Sequence, residues 1–298
     1  MKKFFSILVF VAMTVIPSFA LSVPSNHVVS ASWLSKNAKH VVIVDVGSPK
    51  EFAAGHIPGA VNMPKENFFK GHSGDIKALL DTPAEVEQLF SDAGISNHSV
   101  VVFVSHVLKP QKYTDMTRGF WTAWVYGMRK VAILDGGIEA WVASGNKLSK
   151  VATAVKKGNF KVKSFSEADV KSLVDIKSAL INKKSQLVDA REEAHYVGKD
   201  KDKRLVRHGH IEGAKRVSAY YFTKKEGKLY KLVSSAEAKS IFTKAGVSLH
   251  KPIITYCNTG HLATGTWFAA KFLAGVKHVG DFDGSMYQYS RTNLPVAK

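Results

Sequence analysis

Gln186-Leu187-Val188-Asp189-Ala190-Arg191, followed by Gly209-His210-Ile211-Glu212-Gly213-Ala214, decides the fold because the chain carries it twice. In the first half Val41-Val42-Ile43-Val44-Asp45 precedes Gly55-His56-Ile57-Pro58-Gly59-Ala60 in the same order. The match continues outward. Phe90-Ser91-Asp92-Ala93-Gly94-Ile95 pairs with Phe242-Thr243-Lys244-Ala245-Gly246-Val247, and each leads into a β-branched run, at 100–104 and 252–256. Leu134-Asp135-Gly136-Gly137 is echoed by Phe282-Asp283-Gly284. Self-similarity over such a length implies a duplicated domain.

Within each copy, short Val/Ile-rich runs alternate with helical periodicity. The runs at 41–46, 100–104 and 131–135 lack polar alternation, as parallel strands buried on both faces do. Residues 84–93 and 117–127 carry the spacing of amphipathic helices. The second copy predicts strands near 186–190 and 252–256 and a helix from Ala263 to Leu273. The fold class is therefore α/β: tandem domains, each a mostly parallel sheet flanked by helices. The domain division expected is 1–20 as a leader, 21–145, a linker at 146–165, and 166–298. The stretch from Gly145 to Lys163, rich in Lys, Ala, Gly and Asn, marks the linker.

The leader reads as an export signal. Lys2 and Lys3 precede an apolar run from Phe4 to Ile16, and Ser18-Phe19-Ala20 supplies a small-x-small cleavage site. The run is too short to span a bilayer, so the mature chain is expected to be exported, periplasmic in a Gram-negative host, with no stable membrane association.

The 298 residues include 42 Lys+Arg against 24 Asp+Glu, a formal charge of +18. The lysines are scattered and accompany no nucleic-acid-binding motif, so no nucleic-acid partner is expected; the charge suits steering of a small anion. There is one cysteine, which excludes an internal disulfide and a paired-cysteine zinc or redox site. An unpaired cysteine in an exported chain marks a reactive thiol.

Cys257 ends the apolar run Pro252-Ile253-Ile254-Thr255-Tyr256 and opens Asn258-Thr259-Gly260-His261-Leu262-Ala263, which leads into a helix. Ligands in such sheets bind beyond the carboxyl ends of the strands. Unsatisfied N–H groups at a helix start, with Gly260 allowing the loop to curl, favour an anion on or beside the sulfur and hence the thiolate. The alternative is a buried cysteine acting as a small hydrophobe.

These residues resemble the rhodanese family of sulfurtransferases. The resemblance rests on the Gly-His-Ile-x-Gly-Ala repeats, Asp189-Ala190-Arg191, the loop from Cys257 to Ala263 and Asp135-Gly136-Gly137. It implies a catalytic C-terminal domain and an N-terminal one without a nucleophile, and Ser105-His106 stands where the second copy has Tyr256-Cys257. It also implies a ping-pong reaction through a Cys257 persulfide, with the loop N–H groups of 258–263 holding the substrate and with no metal or organic cofactor. The partners implied are a small anionic sulfur donor, thiosulfate or 3-mercaptopyruvate, and a thiol or cyanide acceptor. A persulfide or selenium carrier with little turnover is the rival. Asn258-Thr259-Gly260 fits neither the basic loop of thiosulfate-preferring members nor the Gly-Ser-Gly of mercaptopyruvate-preferring ones.

Arg191 has Gly47 as its counterpart and serves either to anchor the loop or to bind the donor. Arg118, in Thr117-Arg118-Gly119-Phe120-Trp121, resembles an arginine that faces the cleft from the first domain, and is expected either to touch substrate or to be a surface arginine at a helix start. His261 is placed either to move a proton or to point away. His56 and His210 recur in both copies and read as structural. Tyr113 and Asp115 have no assigned role. A phosphatase would need an arginine where Ala263 stands, and no partner histidine motif supports a cysteine protease.

Overall fold

The computed structural model describes residues 21–106 and 109–298; the export reading of residues 1–20 lies outside them. The first repeat contains β1 (Val28–Val29), β2 (Val42–Asp45), β3 (Val61–Asn62), the hairpin β4 (Gly71–Ser73) and β5 (Ile76–Leu79), β6 (Val101–Val104) and β7 (Val131–Leu134). The second contains β8 (Val170–Lys171), β9 (Gln186–Asp189), β10 (His210–Ile211), β11 (Lys215–Arg216), the hairpin β12 (Thr223–Glu226) and β13 (Leu229–Leu232), β14 (Ile253–Tyr256), β15 (Val279–Phe282) and β16 (Val296–Ala297). One sheet runs β1-β7-β6-β2-β3 and the other β8-β15-β14-β9-β11, so the two copies share one strand order. Every pairing inside these two sheets is parallel. The unbroken burial of β6, β7, β14 and β15 is what their continuous apolar runs require.

The helices begin where side chains can cap them. Ser48, Thr82, Ser172 and Ser234 each form a capping box with an acidic residue three positions on, starting α1 (Pro49–Ala54), α2 (Pro83–Asp92), α4 (Leu173–Asn182) and α5 (Ser235–Lys244). Two helices cross at the domain boundary: α3 (Pro110–Val125) and α6 (His261–Phe268). The helix expected at 117–127 thus starts seven residues earlier, at Pro110. Its polar first turns are buried against the second domain, which hides the amphipathic pattern. The helix expected from Ala263 to Leu273 starts at His261 and changes to a π-turn at Ala269–Leu273.

Close packing holds this crossing together. Gly265 lets α3 approach, since a Cβ there would stand 3.0 Å from Thr114 Cγ2 and from Tyr113 Cε1. Tyr113 Oη donates to the Gly265 carbonyl at 2.8 Å, and the Phe120 and Phe268 rings meet edge to face at 4.9 Å. The hairpins are exchanged: Leu80 N–H, after β5, donates to Asp283 Oδ2 at 2.6 Å, and Leu232 N–H, at the end of β13, donates to Asp135 Oδ1 at 2.9 Å. Each repeat's Asp-Gly turn therefore holds the other repeat's hairpin.

The linker segment lies against the first domain. Phe160 is buried, its ring tilted against Phe90 at 5.1 Å, and the Gly158 N–H donates to the Ser91 carbonyl at 2.7 Å. Among the described residues no helix is long and apolar enough to cross a membrane.

Candidate active site

Cys257 follows the last residue of β14 at the carboxyl edge of the sheet and is 1% exposed. Its loop is tied to the turn after β15. The Cys257 carbonyl accepts the Met286 N–H at 3.0 Å and the Asn258 carbonyl the Tyr287 N–H at 2.8 Å. The first copy repeats the first of these bonds, Ile138 N–H to the Ser105 carbonyl at 2.9 Å.

Ser285 supplies what the first copy lacks. Its Oγ accepts from Cys257 N–H at 3.0 Å and Gly260 N–H at 2.9 Å while donating to the Phe282 carbonyl at 2.8 Å. Ser285 sits at φ +46°, the left-handed region that its counterpart Gly137 occupies at +58°. The cost of that conformation for a residue with a Cβ, about 1–2 kcal/mol, is offset by satisfying two buried donors. Gly260 is needed for space: a Cβ there would meet the Asp283 carbonyl oxygen at 2.6 Å.

The expectation that the whole loop cradles an anion is therefore corrected. The N–H groups of Gly260 and of Cys257 itself are spent on Ser285, whereas those of Thr259 and Ala263 act to lower the pKa of the sulfur. The thiolate expected from the helix start meets an opposing effect. Burial pushes the Cys257 thiol above its ordinary value, with Asp281 adding to the rise, against those two N–H groups and Arg191. Asp281 is itself held far above the usual carboxylate range, first by burial and then by Asp283.

Arg191 is buried beneath the loop. It grips Asp189 through Nε at 2.9 Å and Nη2 at 2.6 Å, and also donates to Asn258 Oδ1 at 3.0 Å and the Gly209 carbonyl at 2.7 Å. Of the two roles the sequence left open, the geometry gives it the anchoring one. In the first copy the equivalent carboxylate, Asp45, meets His106 Nε2 at 3.0 Å. A Cβ on Gly47 would stand 2.5 Å from that imidazole, so Gly47 and His106 replace Arg191 and Asn258 together. The strand registers put Ser105, one position earlier than the sequence alignment placed it, where the second copy has Cys257.

Arg118 is fully buried, so it is not a surface arginine. It donates to Asp283 Oδ1 at 2.8 Å, Phe68 O at 2.9 Å and Gly260 O at 3.4 Å, and its Nη2 has no partner among the described residues. His261 turns to the first domain, its Nε2 lying 3.1 Å from Asp115 Oδ1 but off line for a hydrogen bond. Asp115 thereby gains a role as a partner across the domain boundary, beside Lys65 at 3.5 Å. Leu262 and Ala263 pack around the thiol with Ala190 and Ala219. His56 and His210 stack on Phe52 and Tyr196 at 3.8 and 3.7 Å and bond the carbonyls of those same residues, matching their structural reading.

Sequence reasoning missed Ser285, Asp202 and Arg204. The Asn258 amide donates to Asp202 Oδ2 at 2.8 Å, and Arg204 clamps that carboxylate through Nε at 2.9 Å to Oδ1. This pairing holds the Asp202 carboxyl down to about 2. Arg204 keeps an exposed face and lies near enough for an ionised Cys257 to stabilise its charge. Half-buried Tyr220 packs against the cluster that holds Cys257, and burial first, then Glu192 and Cys257, raise its pKa. The Asp-Gly-Ser against Asp-Gly-Gly difference was the available signal for Ser285. Nothing local points from Asp202 to a loop over fifty residues away.

The family model for the rhodanese-like domain matches residues 30–144 and 172–292. The chain is 29% identical over 294 residues to a putative thiosulfate sulfurtransferase of Synechococcus elongatus, covering 94% of this chain and 88% of that one. It is 29% identical over 282 residues to the 3-mercaptopyruvate sulfurtransferase of Escherichia coli K12, covering 90% and 96%. Among solved structures, SseA of Escherichia coli, described as a 3-mercaptopyruvate sulfotransferase, superposes with a TM-score of 0.75 at 26% identity, covering 87% of this chain and 98% of that one.

Two outcomes follow from the geometry. Ser285→Ala leaves the Cys257 and Gly260 N–H groups without their acceptor, and should lower unfolding free energy in urea by about 2 kcal/mol. No change would mean the hydroxyl does not hold the loop. Because burial raises the Cys257 pKa, its alkylation by iodoacetamide should be slow at neutral pH and still be climbing at pH values above that of an ordinary thiol. A plateau reached below neutrality would show a resident thiolate.

Proposed function

The chain belongs to the rhodanese family, a tandem sulfurtransferase of the thiosulfate or 3-mercaptopyruvate type, and from that premise we propose that Cys257 carries the sulfur. The observation that carries this reading is a buried cysteine sulfur at the carboxyl edge of a parallel sheet, beside the start of α6. The Thr259 and Ala263 N–H groups favour charge on that sulfur.

With thiosulfate as donor, the Cys257 thiolate attacks the outer sulfur. The new S–S bond forms as the old one breaks, and sulfite leaves with the electron pair. The persulfide anion then stands over the N–H groups of α6's first turn. In the second half-reaction cyanide or a thiolate attacks the outer sulfur, and Cys257 leaves as thiolate, ready for the next donor. With 3-mercaptopyruvate the C–S bond breaks instead and pyruvate departs as its enolate, which takes up a proton.

Both donors are anions, and Arg204 is the cation best placed for the end that does not react. Its guanidinium is pre-oriented by Asp202, which is tethered to the loop through Asn258, so a charge at the mouth is fixed relative to the sulfur. Arg191 and Arg118 hold the loop from below and from the first domain. His261 and Asp115 close the side of the site facing that domain. The uncharged Asn258 and Thr259 leave the choice between the two donors to be measured.

We further infer from Lys2, Lys3 and the apolar run to Ile16 that the chain is exported and loses residues 1–20. One measurement addresses both readings: intact mass of the chain recovered from cells and treated with donor. The expected product lacks the leader and gains one sulfur atom, removable by cyanide, and Cys257→Ser gains none while unfolding at the same urea concentration. An unmodified Cys257 across thiosulfate, 3-mercaptopyruvate and polysulfide overturns the assignment. Loading without turnover by cyanide or thiols would mark a carrier.

A further inference from the structure

The loop from Lys199 to Arg207 runs beside the cysteine loop, joined to it by the bond between Asn258 and Asp202. It contains no helix or strand, yet it is fastened along its length. Leu205 is buried, and the Val206 N–H donates to Ser290 Oγ at 3.2 Å. Arg207 hooks the C-terminal segment, donating to the carbonyls of Ser290 at 3.1 Å and Leu294 at 2.8 Å. On this fixed frame Lys199, Lys201 and Lys203 are exposed and form no ion pair among the described residues. Val206 is 65% exposed among them.

We propose that this loop is a docking platform for an acidic protein that presents the acceptor thiol to Cys257. The inference rests on Cys257 being the sulfur-carrying residue and names the class of acceptor. Two arguments favour a macromolecule over the small donor. Arg204, beside the cysteine loop, already offers a guanidinium to a small anion. An exposed valine within a rigid basic frame offers apolar contact that a small anion cannot use but a protein surface can. Because the frame is fastened beforehand, docking orders little that was free.

The transfer is balanced as a thiol exchange. The partner's thiolate attacks the outer sulfur of the Cys257 persulfide, the S–S bond to Cys257 breaks, and Cys257 leaves as thiolate while the partner becomes the persulfide. No oxidant or reductant is consumed.

The test uses the full chain, loaded with thiosulfate and checked by mass, with two synthetic peptides as probes. Each has one central cysteine, flanked by glutamates in one and by lysines in the other. Transfer to the glutamate peptide should be about tenfold faster at low salt, and the preference should vanish at high salt. The triple variant K199E/K201E/K203E should lose the preference while keeping thiosulfate-to-cyanide turnover. The variant K239E/K251E/K277E alters exposed lysines at the opposite end of the sheet by the same net charge, and should keep the preference.

Equal transfer to both peptides overturns the proposal. So does an equal loss in the control variant, which would make the effect one of total charge. A triple variant that slows thiosulfate loading as much as peptide transfer would assign the lysines to the small donor. Binding of the same peptides with serine in place of cysteine, read by fluorescence anisotropy, tests docking independently of sulfur loading. A chain that binds the acidic peptide through these lysines but never loads sulfur separates failure of the persulfide reading from failure of docking.

Discussion

One carboxylate, Asp283, links nearly everything the site depends on. It accepts Leu80 N–H from the hairpin of the first domain and Arg118 from the helix that crosses the boundary. Arg118 in turn reaches the Gly260 carbonyl inside the cysteine loop, and the backbone of Asp283 leaves room there only for a glycine. Breaking a buried ion pair of this kind strands a charge and costs about 3–5 kcal/mol. The first domain, which has no cysteine, is therefore part of how the cysteine loop is shaped. Asp135 plays the reciprocal part for the second hairpin, so duplication produced a clasp as well as a spare copy.

The two copies diverge by exchanging whole contacts. Where the second has Arg191 on Asp189, the first has His106 on Asp45 with Gly47 making room. Where the first has Gly137, free to adopt a positive φ, the second accepts strain at Ser285 and uses the hydroxyl to fix two N–H groups. The cost falls in the copy that needs a rigid loop. Burial pushes the Cys257 thiol above its ordinary value, against the N–H groups of Thr259 and Ala263. In the proposed transfer those two N–H groups matter most once charge develops on sulfur.

Most of the fold could be read from the sequence because its determinants are local. The apolar runs became β2, β6, β7, β9 and β14, the repeat predicted two equal sheets, and the cysteine fell at a strand end as expected. The site was less legible because its contacts are long-range. Arg118 and Asp283 are 165 residues apart in the chain, and Leu80 and Asp283 are 203 apart. No spacing rule connects them. Asp115 looked roleless because its partner, His261, belongs to the other domain. The thiolate expectation followed from the helix start and omitted the burial, which only packing reveals.

The central claim is that Asp283 ties the first domain to the cysteine loop, and amide hydrogen exchange in Asp283→Ala tests it most directly. The account predicts that the Leu80 and Gly260 amides lose protection together while the strands β6 and β14 keep theirs. Loss at Leu80 with unchanged protection at Gly260 would contradict it, because the loop would then hold its shape without the first domain.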